Sequence, residues 1–229
     1  MNLKTLILAL ATASIGLTQA LANPQVQMGT YSPASGGNYR ANPNAELEWV
    51  LGNYVAGKST DGTYFGTFCI EKNEYFSNGG TYDVALNNRA ISGGVSSPTA
   101  GYDIISQGTA YLYTQFATGA LTASYYGSST NAANLQDLIW WLEGEQATFG
   151  AGTYNSLLLA QFGANWQIDA KTDYTGTAVK VMNLTSNQGR TNNQDQLVYV
   201  GVPDGGVTAM LLGLGLMGIA FANRKTRRV

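Results

Sequence analysis

The chain has 229 residues, of which 11% are charged, and its formal net charge at pH 7 is −2. Its body contains few lysines and arginines, so nucleic acid is not expected as a partner. The sequence contains no histidine, which excludes a Ser-His-Asp triad and a histidine-based metal site. Abundant Gly, Asn, Thr, Ser and Tyr in place of charge are typical of extracellular, β-rich proteins.

Residues 1–22 have the organisation of a secretory signal peptide. Lys4 supplies a positive charge, residues 6–17 form an apolar stretch, and Ala20-Leu21-Ala22 is a small-x-small cleavage site. Cleavage after Ala22 is therefore predicted, so that the mature chain begins at Asn23 and is exported.

The first part of the body is predicted to form β-strands. Residues 23–45 are rich in Gly, Pro, Ser and Asn and are typical of a partly ordered lead-in segment. β-Forming residues dominate 46–51, 64–75 and 81–86. The turn sequence Asn78-Gly79-Gly80 predicts that the last two of these strands pair as a hairpin.

The middle of the body is predicted to form three helices, at 104–118, 132–147 and 154–162. Apolar residues recur there at helical spacing, Asp103 is the candidate N-cap of the first helix, and a glycine follows near each predicted end. β-Forming residues return at 178–184 and 196–202. This order predicts an α+β fold with one domain over 46–201, an antiparallel β-sandwich or barrel-like sheet with an inserted helical subdomain.

The end of the chain, 202–229, has three parts. Val202-Pro203-Asp204-Gly205-Gly206 is followed by an almost wholly apolar stretch, 207–222, and then by a cluster of Arg and Lys. As a helix the apolar stretch would be roughly 24 Å long, enough to cross a membrane with help from its flanks. The basic cluster is expected to stay on the cytoplasmic side, which places the body across the membrane.

This arrangement resembles the PEP-CTERM sorting signal of Gram-negative bacteria, in the form where Val-Pro-Asp-Gly-Gly replaces Val-Pro-Glu-Pro. The resemblance implies that an exosortase is a partner, cutting near the motif and releasing or re-anchoring the protein at the cell surface or in the extracellular matrix. A plain C-terminal membrane anchor is the alternative. With either, the body is exported across the inner membrane.

Cys69 is the one cysteine of the sequence. In an exported protein a single cysteine cannot form an intrachain disulfide. Four interpretations remain: a buried inert thiol, an intermolecular disulfide, a catalytic nucleophile, or a covalent bond to an atom other than sulfur. The nucleophile lacks its usual base, because there is no histidine.

Paired carboxylates for glycoside cleavage are weak candidates. Such chemistry needs two carboxyls facing one bond about 5 to 9 Å apart. Glu71 and Glu74 are predicted to face opposite sides of a strand, and Glu143 and Glu145 to diverge by roughly 200° on a helix. Both pairs are expected to be solvated surface residues, and the protein is not expected to be an enzyme.

Three short motifs are arranged along the chain in the order found in a known family. They are Phe68-Cys69-Ile70, Leu135-Gln136-Asp137-Leu138-Ile139-Trp140, and a late glutamine before an apolar strand, Gln194 or Gln196. They resemble the motifs of the Cys-Gln thioester domains of bacterial surface adhesins, although Leu135 and Leu138 stand where that family has Thr and Ala. The resemblance implies that the Cys69 sulfur attacks the side-chain amide of the late glutamine and releases ammonia. Gln194 is preferred, since it leaves Leu197 and Val198 at the positions of the family's apolar pair.

The resemblance implies an adhesin-like protein that acylates amines or hydroxyls on a target surface, without a cofactor or metal. Phe68, Ile70, Gln136 and Trp140 are then supporting residues. The alternative is a non-covalent structural component of the exopolysaccharide or biofilm matrix with a buried free cysteine. A glycan hydrolase is the third interpretation. Trp140 could also stack on sugars beside Trp141, but aromatic residues at helical spacing are more often core.

Overall fold

A computed structural model describes residues 23–30, 38–51, 64–91, 102–121, 129–150 and 152–200. The signal peptide predicted at 1–22 and the sorting segment predicted at 202–229 lie outside these residues, and so does the proposed membrane span at 207–222. Within the described ranges, no helix is both long enough and apolar enough to cross a membrane.

The described chain contains strands before, beside and after a group of helices. The strands are β1 (Gln25–Thr30), β2 (Tyr39–Pro43), β3 (Phe65–Thr67), β4 (Thr81–Asn87), β5 (Arg89–Ile91), β6 (Tyr102–Ile104), β7 (Val179–Ser186), β8 (Thr191–Asn192) and β9 (Gln196–Tyr199). The helices are α1 (Ala45–Val50), α2 (Gln107–Ala117), α3 (Ser129–Leu142), α4 (Thr153–Phe162) and α5 (Trp166–Asp169). This mixture of helices and antiparallel sheet confirms the α+β prediction.

The main sheet closes on itself. Neighbouring strands follow the antiparallel order β3-β2-β1-β4-β7, and β8 and β9 both pair with the opposite edge of β7. β9 then meets the chain just after β3, where Cys69 forms an isolated bridge with Gln196. Two backbone hydrogen bonds of 3.1 Å flank this pair. The path of strands therefore returns to its start as a barrel, and we call the junction between the Cys69 segment and β9 the seam.

The barrel strands separate two buried cores, because successive side chains of a strand face opposite sides. On β7, Met182 and Leu184 face the barrel interior, whereas Val179 and Val181 face the helices. The interior core consists of Val26, Met28, Ala41, Leu47, Leu51, Phe65, Tyr82, Met182, Leu184 and Val198. The outer core is formed largely by α2, α3 and α4, so the inserted helices cover one side of the sheet. Burial of each large apolar side chain contributes about 1.5 to 3 kcal/mol.

The helices lie close to their predicted positions, but their ends differ. α2 begins after Ser106, whose Oγ accepts a hydrogen bond from Thr109 N at 3.1 Å, while the predicted cap Asp103 lies in β6. α3 ends at Leu142 rather than at 147, and Gly144 has φ of 79°, a conformation that glycine adopts most readily. Gly163 ends α4 as predicted, with φ of 77°.

Two local predictions are wrong. Residues predicted as a strand at 46–51 form helix α1, because Asn44 caps it by accepting from Leu47 N at 2.9 Å, with two glutamates in the first turn. The hairpin predicted across residues 78–80 is absent from the described chain: β4 pairs with β1 and β7, and β3 pairs with β2.

The segment 23–45, predicted as a lead-in, contributes β1 and β2 to the middle of the sheet. β1 pairs with both β2 and β4, so it lies between these two strands in the sheet. Tyr39 and Ala41 alternate with polar residues in β2, which is the period expected of a half-buried strand.

Candidate functional site

Cys69 and Gln196 face each other across the seam. The two backbone hydrogen bonds there lie on either side of the pair, which makes it a non-hydrogen-bonded antiparallel pair. In such pairs the Cα atoms are only about 4.5 Å apart and both side chains project to the same face. Strand pairing thus brings together two residues that are 127 positions apart in the chain.

The two side chains are in contact inside the barrel. Gln196 Nε2 donates a hydrogen bond to Cys69 Sγ at 3.2 Å. Both residues are 0% exposed. Thr67, the preceding inward-facing residue, donates its hydroxyl to Leu197 O at 2.6 Å and so joins the same two segments. A cysteine sulfur is thus held beside a carboxamide, away from water.

Gln136 of α3 holds the backbone of Cys69 from the other side. Its Oε1 accepts from Cys69 N at 2.9 Å, and its Nε2 donates to Cys69 O at 2.7 Å. One side-chain amide therefore satisfies both backbone groups of Cys69, as a neighbouring strand would. Gln136 is itself 2% exposed, and each buried hydrogen bond lost without replacement would cost about 1 to 3 kcal/mol.

The preferred glutamine of the sequence analysis, Gln194, has another partner. Its Nε2 donates to Glu71 O at 2.8 Å, which fastens the chain after Cys69 to the chain before β9. Gln194 O is also within 3.4 Å of Gln196 Nε2. The structure therefore brings Gln196, the alternative, to the cysteine sulfur.

The environment of Cys69 keeps its sulfur protonated. Burial raises the pKa of the thiol to about 12, although hydrogen bonds from Gln196 and Tyr39 act in the opposite direction. The Tyr39 phenol interacts with the thiol, and burial raises the pKa of this phenol to about 12 as well. Tyr39 lies in the segment predicted as a lead-in and was missed, although its alternation with Ala41 is a strand signal.

The other motif residues lie on the helical side of the seam. Phe68 and Ile70 flank Cys69 and point into the outer core, where the Phe68 ring lies 5.0 Å from that of Phe116. Trp140 is partly exposed, and Lys72 Nζ lies 5.4 Å from its ring centroid. These three residues position the Cys69 segment and do not touch the sulfur in any contact of the described chain.

Both glutamate pairs differ from their prediction as solvated surface residues. Glu71 and Glu74 lie outside any strand, and burial raises the pKa of both carboxyls. Glu143 and Glu145 follow the end of α3 and are 7% and 5% exposed. Glu143 accepts from Ser106 N and Oγ at 3.1 and 2.8 Å, and Glu145 accepts from Lys72 N at 3.0 Å. These hydrogen bonds join neighbouring segments, a structural role.

Asp195, which precedes Gln196, was not singled out from the sequence. Its carboxylate accepts hydrogen bonds from Ile91 N, Asn183 Nδ2 and Leu184 N at 2.6, 2.9 and 3.3 Å. It therefore ties β5 and β7 to the start of β9 and helps to set the register of the seam. Within the part of the chain that the structure describes, no cluster of Asp, Glu, His or Cys could hold a metal ion.

The tail matches a known sorting signal. Residues 201–226 match the VPDSG-CTERM motif. The chain therefore carries a PEP-CTERM-like C-terminal sorting signal, and it is an exported protein of the kind that exosortase-type machinery sorts to the surface. Gly205 stands where the name of the motif has serine. No curated protein and no solved structure matches the chain.

Proposed function

We propose that this exported protein forms an internal thioester between Cys69 Sγ and the side-chain carbonyl carbon of Gln196, and uses it to attach covalently to a surface. The observation that carries the proposal is the 3.2 Å contact between Gln196 Nε2 and Cys69 Sγ in a fully buried pair. The motif resemblance found in the sequence supports the same pair of residue types.

The reaction needs no cofactor. The sulfur attacks the amide carbon of Gln196, the carbon–nitrogen bond breaks, and the thiol proton leaves with the nitrogen as ammonia. The contact between the sulfur and the departing nitrogen suits this proton transfer. Holding the two groups together supplies much of the required activation, because positioned groups react as if at very high concentration.

The product would be an internal thioester, an electrophilic acyl group that can react later with a target. An amine or hydroxyl on a target would attack the thioester carbonyl, form an amide or ester with Gln196, and release the Cys69 thiol. The acyl group stays on the target, so each molecule reacts once and the protein is not an enzyme. Lys72 is poorly placed for self-reaction, since its Nζ donates to Gln146 Oε1 at 2.8 Å.

The setting follows from the sorting signal. We propose that an exosortase of a Gram-negative bacterium places the protein at the cell surface or in the exopolysaccharide matrix, where adhesion is its role. The alternative is a non-covalent structural component of a biofilm matrix. Complete burial of Cys69 supports that alternative too, because free cysteine is among the most buried residue types.

Intact mass spectrometry of the exported protein tests the bond. We expect a mass below that of the processed sequence by one ammonia, and no reaction of Cys69 with a thiol reagent after denaturation. Methylamine should release the thiol and add to Gln196. Gln196→Ala should abolish all three results, whereas the matched variant Gln194→Ala should retain them. If the untreated, denatured protein contains one full equivalent of reactive thiol, the thioester is absent. The matrix-component function is then favoured.

A further inference from the structure

Tyr39 occupies the position beside the proposed reacting atoms. In the pairing of β2 with β3, Tyr39 lies opposite Thr67, and Cys69 is the next residue on the same face of that chain. Tyr39 and Cys69 are therefore diagonal neighbours, a spacing that an aromatic side chain can reach across, and the phenol and the thiol perturb each other's pKa. Its ring packs edge-on against Phe76, with ring centroids 4.9 Å apart. Tyr39 is partly exposed, whereas Cys69 and Gln196 are 0% exposed.

Opening a thioester at this site requires a proton for the departing sulfur. A bare thiolate inside an apolar barrel would be costly, because burial disfavours the charged form. The sequence has no histidine to supply the proton. The Gln196 amide nitrogen, which hydrogen-bonds to the sulfur, is lost as ammonia when the thioester forms. The Thr67 hydroxyl already donates to Leu197 O.

We propose that Tyr39 is a catalytic residue that donates its phenolic proton to Cys69 Sγ when an amine opens the thioester. This inference rests on the proposed function. The amine nitrogen bonds to the Gln196 carbonyl carbon, the carbon–sulfur bond breaks, and its electron pair goes to sulfur. The Tyr39 proton completes the thiol, and the proton that the amine loses returns through solvent to the phenolate. The products are an amide and a neutral cysteine.

The acidities of the two groups suit this transfer. Burial raises the pKa of both the Tyr39 phenol and the Cys69 thiol to about 12. The phenol therefore holds its proton at neutral pH and the released thiolate would accept one, and general acid catalysis typically contributes about 10²- to 10⁴-fold in rate.

The test measures the rate at which methylamine opens the thioester in the exported protein, at a fixed concentration of free amine. Tyr39→Phe should slow opening by about 100-fold. The matched control is Tyr113→Phe, which removes a buried hydroxyl that donates to Gly66 O at 2.9 Å but does not touch the sulfur. This control should open at the rate of the unmodified protein. Equal rates in Tyr39→Phe and the unmodified protein would overturn the proposal.

A second measurement separates acid catalysis from packing and covers a Tyr39→Phe variant that does not fold. Fluorotyrosine placed at position 39 keeps the hydroxyl but makes it more acidic. The pH at which opening slows through loss of the phenolic proton should then shift downward. An unchanged pH profile would overturn the proposal. If the unmodified protein shows no loss of ammonia by mass, the proposed thioester itself has failed, which is a separate result.

Discussion

The fold buries the carboxyl groups of Glu71 and Glu74 in an environment that disfavours their ionised form. Burial is the largest cause that raises the pKa of each, and Glu71 also faces Asp195 and Glu145. The two carboxyls also interact with each other, and like charges this close disfavour the ionisation of both groups at once. Burial also raises the pKa values of Glu143 and Asp195, each to about 7.

These raised pKa values predict how stability depends on pH. A carboxyl with a higher pKa in the folded state binds its proton more tightly there, so stability is greatest at low pH and falls as pH rises toward the folded pKa. The free energy of unfolding should therefore decrease between pH 5 and pH 8, by up to about 1.4 kcal/mol per pH unit for each proton.

Glu71→Gln should reduce this dependence and make the protein more stable at pH 8, because a neutral amide replaces a carboxyl that resists ionisation. Denaturant unfolding as a function of pH is the measurement. The matched control is Glu46→Gln, at a partly buried position in the first turn of α1. If the free energy of unfolding of Glu71→Gln still falls with pH as steeply as that of the unmodified protein, other groups are responsible for the pH dependence.

Gln136 of helix α3 hydrogen-bonds to both backbone groups of Cys69 at the seam. Gln136→Ala would leave both backbone groups of Cys69 unpaired in a buried site and should cost about 2 to 5 kcal/mol. The matched control is Gln146→Ala. Gln146 also makes two hydrogen bonds, to Asp137 O and Lys72 Nζ, but in a more exposed position, so its loss should cost under about 1 kcal/mol.

Both variants are best compared by urea unfolding in a Cys69→Ala background, where no thioester can contribute to stability. Equal destabilisation by the two substitutions would argue against a special role for Gln136 at the seam. A much larger effect of Gln136→Ala would show that the helical insertion supports the barrel through this contact.

Element patterns explain which parts of the site could be predicted. Strand alternation alone would place Gln194 and Gln196 on the same face, and the preference for Gln194 rested only on the positions of Leu197 and Val198. Only the register, in which Gln196 lies opposite Cys69, separates the two. Helix α1 was misread because its β-forming residues outweighed the capping signal of Asn44, and Tyr39 was missed because its segment is rich in turn-forming residues.

At the scale of the whole molecule, the signals at the two ends of the chain are predicted to direct the body across the membrane and to the surface. The VPDSG-CTERM match at 201–226 predicts that the tail is removed in a host with an exosortase. Mass spectrometry of the surface-exposed protein should find an N-terminus at Asn23 and no peptides from residues 211–225. Recovery of those peptides from the mature protein would instead indicate a plain membrane anchor.

The position of Gln196 also determines how a pulling force would enter the body. β9 ends at Tyr199 and the matched sorting segment begins at residue 201, so tension on an anchored tail acts directly on this four-residue strand. With hydrogen bonds alone, that tension would peel β9 from its neighbours. A covalent bond at the seam would pass the load to the Cys69 segment, and the helices between the two residues would bear none of it. An unreacted thioester would thus serve as a mechanical fastener, and its opening by an amine would make the protein more extensible.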